Sequence, residues 1–116
     1  MKSKDRQLLL IDLCGRLPYE VKGLHRGETQ RLLIMDSFGS YQVNGYDAWF
    51  DLNSVSFKPY LFPLSSITKK TLEELSEYID IKNAYVAVEL LNSHHIDYRG
   101  LIEKGLAIDA TGLNIY

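Results

Sequence analysis

Apolar residues in the first stretch of the chain recur at the helical interval. Leu10, Leu13, Cys14 and Leu17 fall at i, i+3, i+4 and i+7 within a segment opening at Lys4, and Gly15 is placed to end it. Leu8, Leu9 and Ile11 widen that face, so the predicted helix should be packed on two sides. From Tyr19 to Leu61 the texture changes to short β-branched and aromatic runs broken by turn residues, the pattern of an antiparallel meander. Gln30 to Phe38 reads as a largely buried central strand, and Arg26-Gly27-Glu28 before it as a turn. Asn44-Gly45, between Tyr41-Gln42-Val43 and Tyr46-Asp47-Ala48-Trp49-Phe50, predicts a two-residue hairpin. Pro59 and Pro63 predict that the last strand, Val55 to Leu61, lies at a sheet edge, because proline cannot donate to the ladder.

Beyond Pro63 the interval returns to helical. Thr68 is a plausible N-cap, Thr71-Leu72-Glu73-Glu74 a competing start, and Leu72, Leu75 and Ile79 the expected apolar face. Lys69 and Lys70 sit at the wrong end for the helix dipole, which favours the later start. A second helix from Asn83 to about Ser93 should bury Ala84, Val88 and Leu91, with Ala87 beside them. Asp97 predicts the N-cap of a short third helix, Tyr98 to Lys104, stopped by Gly105, and Leu106-Ala107-Ile108 could add a strand. The expected architecture is α+β: an N-terminal helix, a curled antiparallel meander of about four to five strands, and two to three C-terminal helices.

Composition fits one domain over residues 1–116. The chain is 46% hydrophobic and 24% charged, with no apolar run near the roughly 20 residues a membrane span needs. Cys14 is a lone cysteine and has no internal disulfide partner. A cytoplasmic protein is expected. The net charge of −2 is unevenly distributed: residues 1–31 carry seven basic and four acidic side chains, whereas 67–116 carry five and eight. That balance argues against general duplex-DNA binding, which needs a strong basic excess. A local patch of Arg16, Lys22, Arg26 and Arg31 could hold a small anion, or could simply be solvated strand-face charge.

Chemistry-bearing motifs are sparse. His94 and His95 adjoin Asp97, Tyr98 and Arg99, but neighbours on a helix point about 100° apart, a poor arrangement for chelating one metal. HExxH, zinc-finger spacing, GxSxG, GxxxxGK[ST] and GxGxxG are all missing, so no catalytic residue, metal or cofactor is assigned. Aromatics are denser, with Tyr41, Tyr46, Trp49, Phe50, Phe57, Tyr60 and Phe62 between 41 and 62. Strand alternation puts Trp49 and Phe50 on opposite faces, so one of them should lie outside the core as a partner surface or stacking platform, or else in a second covered cluster.

Three segments carry a family resemblance: Leu13-Cys14-Gly15-Arg16-Leu17-Pro18-Tyr19, Lys58-Pro59-Tyr60-Leu61-Phe62-Pro63-Leu64-Ser65-Ser66-Ile67-Thr68, and the run from Leu91 through His94, His95, Asp97 and Arg99 to Ala107. They resemble signatures of small uncharacterised proteins encoded by phages and prophages of gut bacteria. Phe62 departs from the pattern, where relatives are expected to carry a basic residue. The resemblance implies a phage accessory setting and no reaction. Within it the expected function is binding: sequestration of a nucleotide-type signalling ligand, or blockade of a host defence factor, by a homo-oligomer. Arg16, Tyr19, Arg26, His95, Tyr98 and Arg99 are the expected ligand residues, with arginine donors on phosphate and aromatic stacking on a base. The alternatives are a protein-interaction adaptor presenting Trp49 and Tyr60, and, more remotely, a small hydrolase built on His95 and Asp97.

Overall fold

The computed structural model describes residues 2–53, 57–76 and 84–116. In chain order they form α1 (Ser3–Arg16), a 3₁₀ turn (Leu17–Tyr19), β1 (Lys22–His25), β2 (Glu28–Met35), β3 (Ser40–Val43), β4 (Phe50–Asp51), β5 (Phe57–Pro63), a 3₁₀ turn (Leu64–Ser66), α2 (Lys69–Ser76), α3 (Ala84–Ser93), β6 (Ile96–Asp97) and β7 (Ile108–Asp109). The architecture is α+β, with more strands than the sequence pattern counts. The strand order is β4-β3-β2-β1-β5-β6, with β7 also paired to β5. Pairing is antiparallel from β4 to β5, but β6 and β7 both run parallel to β5, so the sheet is mixed.

Helix α1 buries Leu9, Leu10 and Leu13 into a core shared with Leu32, Tyr41, Val43, Phe57, Leu61 and Leu101. Its buried stripe also carries Asp12 and Arg16, while Cys14 and Ile11, expected inside, are exposed. The helix runs through Gly15, whose carbonyl the Asn92 side chain satisfies, and Pro18 then tightens the chain into the 3₁₀ turn.

The two-residue hairpin lies elsewhere than Asn44-Gly45. Arg26 and Gly27 both take positive φ, 52° and 79°, and His25 faces Glu28 directly: this is the tight turn whose backbone twist matches antiparallel strands. Asn44-Gly45 does turn, with Tyr46 N–H donating to the Val43 carbonyl at 3.4 Å, but β4 begins only at Phe50. The six-residue connection lets both Tyr46 and Phe50 reach the buried His25 ring, at centroid distances of 5.6 and 4.6 Å.

The expectation for the last strand is also reversed, because β5 lies inside the sheet between β1 and β6. Pro59 faces Gly23, and a Cβ at Gly23 would lie 2.4 Å from Phe57 Cζ, so β1 and β5 approach this closely only because Gly23 has no side chain. Tyr60, expected on an exposed edge, is 7% exposed, and its hydroxyl meets Thr29 Oγ1 at 3.1 Å. The edge belongs to β4, next to Trp49. Strand β2, expected to be largely buried, is central in order yet solvated: Leu32 is its only buried residue, and a bulge between Leu32 and Ile34 leaves Leu33 and Ile34 exposed.

Thr68 caps α2 by accepting the Thr71 N–H at 3.2 Å, so the earlier start is used and not the later one that Lys69 and Lys70 favour: the cap bond outweighs the exposed lysines' unfavourable placement on the dipole. Leu72 of its expected apolar face is exposed; Ile79, the Leu75 side chain, Asn83 and the Ala84 side chain lie outside the described residues. In α3, Val88 is exposed and Leu91 half-buried, while Asn92 is the buried residue. No α-helix forms at 98–104. Gly100 takes positive φ and the chain continues as turns, but the Asp97 carboxylate still caps, accepting the Leu101 and Ile102 N–H groups at 2.9 Å each from within β6. The strand expected near Leu106-Ala107-Ile108 is β7, and no described helix is long and apolar enough to cross a membrane.

Candidate functional site

The C-terminal turn of α1 faces the segment 92–99, and there the structure gathers three of the expected ligand residues, Arg16, Tyr98 and Arg99. Asp12 and Arg16, one helical turn apart, are both fully buried. Arg16 Nε donates to Asp12 Oδ2 at 2.8 Å and its Nη2 to the Ile96 carbonyl at 2.6 Å. Arg99 Nη1 donates to the other oxygen, Asp12 Oδ1, at 2.8 Å, and its side chain is 24% exposed. The Tyr98 ring lies 5.1 Å from one guanidinium carbon and 4.7 Å from the other, and its hydroxyl donates to Asn92 Oδ1 at 2.8 Å.

One carboxylate thus takes both arginines, each on its own oxygen. Arg16 Nη1 is buried without a hydrogen-bond partner among the described residues, so the pair is held by Asp12 and the Ile96 carbonyl alone. Such a buried ion pair is a fastening between elements, and removing one member leaves an uncompensated charge in the interior. Arg16, fully buried, is unavailable to a ligand, and Arg99 is committed to Asp12. Arg26 is apart from them, at the tip of the β1–β2 turn with its guanidinium 4.8 Å from the Phe50 ring. Tyr19, which ends the 3₁₀ turn, is half-buried.

His95 adopts φ 59° and stacks on Tyr116, with ring centroids 3.6 Å apart and planes 11° from parallel. Burial first, and the Arg16 cation next, push its pKa down to about 4, so the ring is neutral near pH 7. Burial likewise pushes Tyr116 up to about 12. The Tyr116 hydroxyl accepts from Lys22 N–H at 2.9 Å, and Lys22 Nζ donates to the Ile115 carbonyl at 3.0 Å, which ties the C-terminal segment against β1. Among the described residues no three His, Cys, Asp or Glu side chains gather as a metal site would require.

A different pair of cations is placed to meet solvent. Counting back from the Arg26-Gly27 turn, the register sets Lys22 opposite Arg31, so both side chains project from the same face of the sheet. That face is the one away from the core, since Gly23 and His25 are the buried residues of β1. Lys22 and Arg31 line a cleft of about 420 Å³ together with Thr29, Gln30, Asn114 and Ile115. Lys22 Nζ donates to the Ile115 carbonyl and lies 5.7 Å from the Tyr116 ring centroid, but its ion pair with Glu20 is loose, at 3.9 Å, and Arg31 makes no ion pair among the described residues.

Two like charges directly opposite each other on a sheet repel. An anion between them would turn that repulsion into two attractive contacts, with the Asn114 amide and the Thr29 hydroxyl, which shares a hydrogen bond with Tyr60, at hand as neutral groups, while the Gln30 amide donates to Glu28. Lys22 and Arg31 belong to the basic patch noted in the sequence, but Thr29, Gln30 and Asn114 escaped it. The register would have exposed the pairing had Arg26-Gly27 been taken as a two-residue turn. Trp49, the other expected surface residue, is 54% exposed beside the edge strand β4. Comparison with protein-family models, with curated proteins and with solved structures found no match.

Proposed function

We propose that the protein acts by binding, not catalysis, and that its ligand is a small anion of the nucleotide type held at the Lys22–Arg31 cleft. The observation that carries this reading is the cross-strand opposition of two cations lining one solvent-facing cleft with neutral hydrogen-bonding groups around them. Lys22 and the His95–Tyr116 stack then hold the C-terminal segment that forms the cleft's far wall. The biological setting we infer is a phage or prophage accessory protein in the cytoplasm of a bacterial host, a homo-oligomer that takes a signalling nucleotide out of circulation. The resemblance of its three motifs supports that setting.

The test is a thermal-shift screen against mono-, di- and cyclic oligonucleotides, with mass determined by light scattering in the same buffer. A ligand at about 100 times its Kd stabilises by about 2.7 kcal/mol, a shift of several degrees for a chain this size. Arg31→Ala should abolish that shift while the unliganded protein melts as before. A flat screen across all phosphate-bearing ligands overturns the reading.

A second reading, a protein-interaction adaptor blocking a host factor, rests on Trp49 and Phe38, both exposed, with Trp49 next to the sheet's edge at β4. An indole at an open edge is the kind of anchor on which interfaces concentrate their energy. Trp49→Ala should then lose a host partner that the parent chain retains in pull-down.

A further inference from the structure

A second hollow, of about 290 Å³, opens where the 3₁₀ turn before α2, the end of α3 and the turn after β7 come together. Its apolar walls are the Phe62 ring, Ile67 and Ile96; Ser66, Thr68, Thr71 and Thr111 supply hydroxyls, and His94 an imidazole. Among the described residues no lysine, arginine, aspartate or glutamate lines it. In this it differs from the Lys22–Arg31 cleft, and a charged ligand would gain nothing there to offset its loss of water.

The hydroxyl bonding narrows the chemistry further. Each hydroxyl has one proton to donate and two lone pairs to accept with. Ser66 donates to the Pro63 carbonyl at 2.6 Å, and the Thr111 hydroxyl bonds the Asp109 carboxylate, so both protons are committed and the lone pairs remain. Thr68 and Thr71 share a hydrogen bond at 3.0 Å, in which one proton is used and one stays available. The hollow is therefore rich in acceptors and poor in donors, the opposite of what a phosphate or carboxylate requires. It suits a ligand that brings N–H groups of its own on a flat, uncharged ring able to lie against Phe62.

We infer that the hydroxyl-lined hollow between Phe62, Ser66 and Thr111 is a binding site for an uncharged amino-substituted heterocycle, of the size and class of an aminopurine or aminopyrimidine base. This site does not depend on the anion cleft, and the two readings fail separately. His94, exposed at the rim, provides a reporter.

The probes are adenosine, cytidine and purine riboside, the last lacking the exocyclic amine, titrated while the proton NMR signals of the His94 imidazole are followed. His94→Asn assigns those signals. Adenosine and cytidine should shift the His94 resonances saturably, and purine riboside should bind at least tenfold more weakly, because a site built to accept an N–H rejects the analogue without one. Ser66→Ala with Thr111→Val, both at exposed positions, should weaken adenosine at least tenfold without moving the melting temperature. Arg31→Ala should leave adenosine binding intact. Failure of adenosine and cytidine to bind overturns the inference, as does equal binding of purine riboside or full retention by the Ser66/Thr111 variant. Loss of adenosine binding in Arg31→Ala would also overturn it and assign the nucleoside to the cleft.

Discussion

Arg16 and Arg99 meet one buried carboxylate, whereas Lys22 and Arg31 face each other across two strands without one. The first pair spans most of the chain and the second a single hairpin, yet both looked alike as basic positions along the sequence. What separates them is Asp12, whose two oxygens hold one arginine each. The first pair fastens α1 to the segment 96–99. The second is left with its charge directed outward. A cation's availability is thus decided by the nearest carboxylate in space and cannot be inferred from a count of positive residues.

Asp12→Ala is the sharpest way to break this contrast. It removes the only counter-charge that the fully buried Arg16 has among the described residues and should cost about 3–5 kcal/mol in chemical denaturation. Replacing the triad together with apolar residues, as Asp12→Leu, Arg16→Met and Arg99→Leu, should recover most of that loss, since the charges would then leave the interior as a set. A triple variant no more stable than Asp12→Ala would show that the cluster's shape, not its charge balance, is what matters.

Arg99→Ala should cost less, about 1–3 kcal/mol, because Asp12 keeps Arg16 as a partner. A melting temperature equal to the parent's would mean that Arg99 is free after all and would return it to the ligand residues.

Acid should act on the contact between the two regions. The folded chain keeps His95 neutral down to about pH 4, while the unfolded chain takes up the proton near 6.5. The unfolded state therefore binds more protons across that window, and stability falls as the pH drops from 6.5 to about 4. His25 contributes with the same sign, since burial among Tyr41, Tyr46 and Phe50 also lowers its pKa. His95→Asn, suited to the left-handed backbone at 95, should flatten part of that slope in denaturation series at several pH values. An unchanged slope would assign the whole effect elsewhere.

The smallest effect on stability is expected at the outward pair. Arg31→Ala should change folding free energy by no more than about 0.5 kcal/mol, because the residue is exposed and has only a like charge opposite. A loss as large as that of Arg99→Ala would erase the distinction between the two pairs.

Much of the fold was legible in the sequence because its signals are local. The helical interval over residues 4–17 marks α1 and the change of texture after Tyr19 marks the sheet. What escaped was set by distant contacts. Pro59 reads as an edge residue until Gly23 is known to lie opposite it, and Asn44-Gly45 reads as a tight hairpin until Tyr46 and Phe50 are both required at His25. The candidate site followed the same rule. Arg16, Tyr98 and Arg99 do come together, but Asp12, 87 residues from Arg99, decides what they do. Thr29 and Asn114, which share the cleft with Lys22 and Arg31, carry no motif, and only the register and the path of the C-terminal segment bring them there.

The Asp12–Arg99 fastening also bears on how the chain is made. A ribosome delivers α1 first, but Asp12 meets Arg99, and Arg16 meets the Ile96 carbonyl, only when residues 80 and more further on have appeared. Until then the helix carries a carboxylate and a guanidinium on the stripe meant for the interior, and β5 lacks both of its parallel neighbours. Contacts of such long range slow folding, since the loop between them must close before they return any stability. Until residues 96–99 have emerged the nascent chain cannot close this fastening, a period in which chaperones and proteases have access to it.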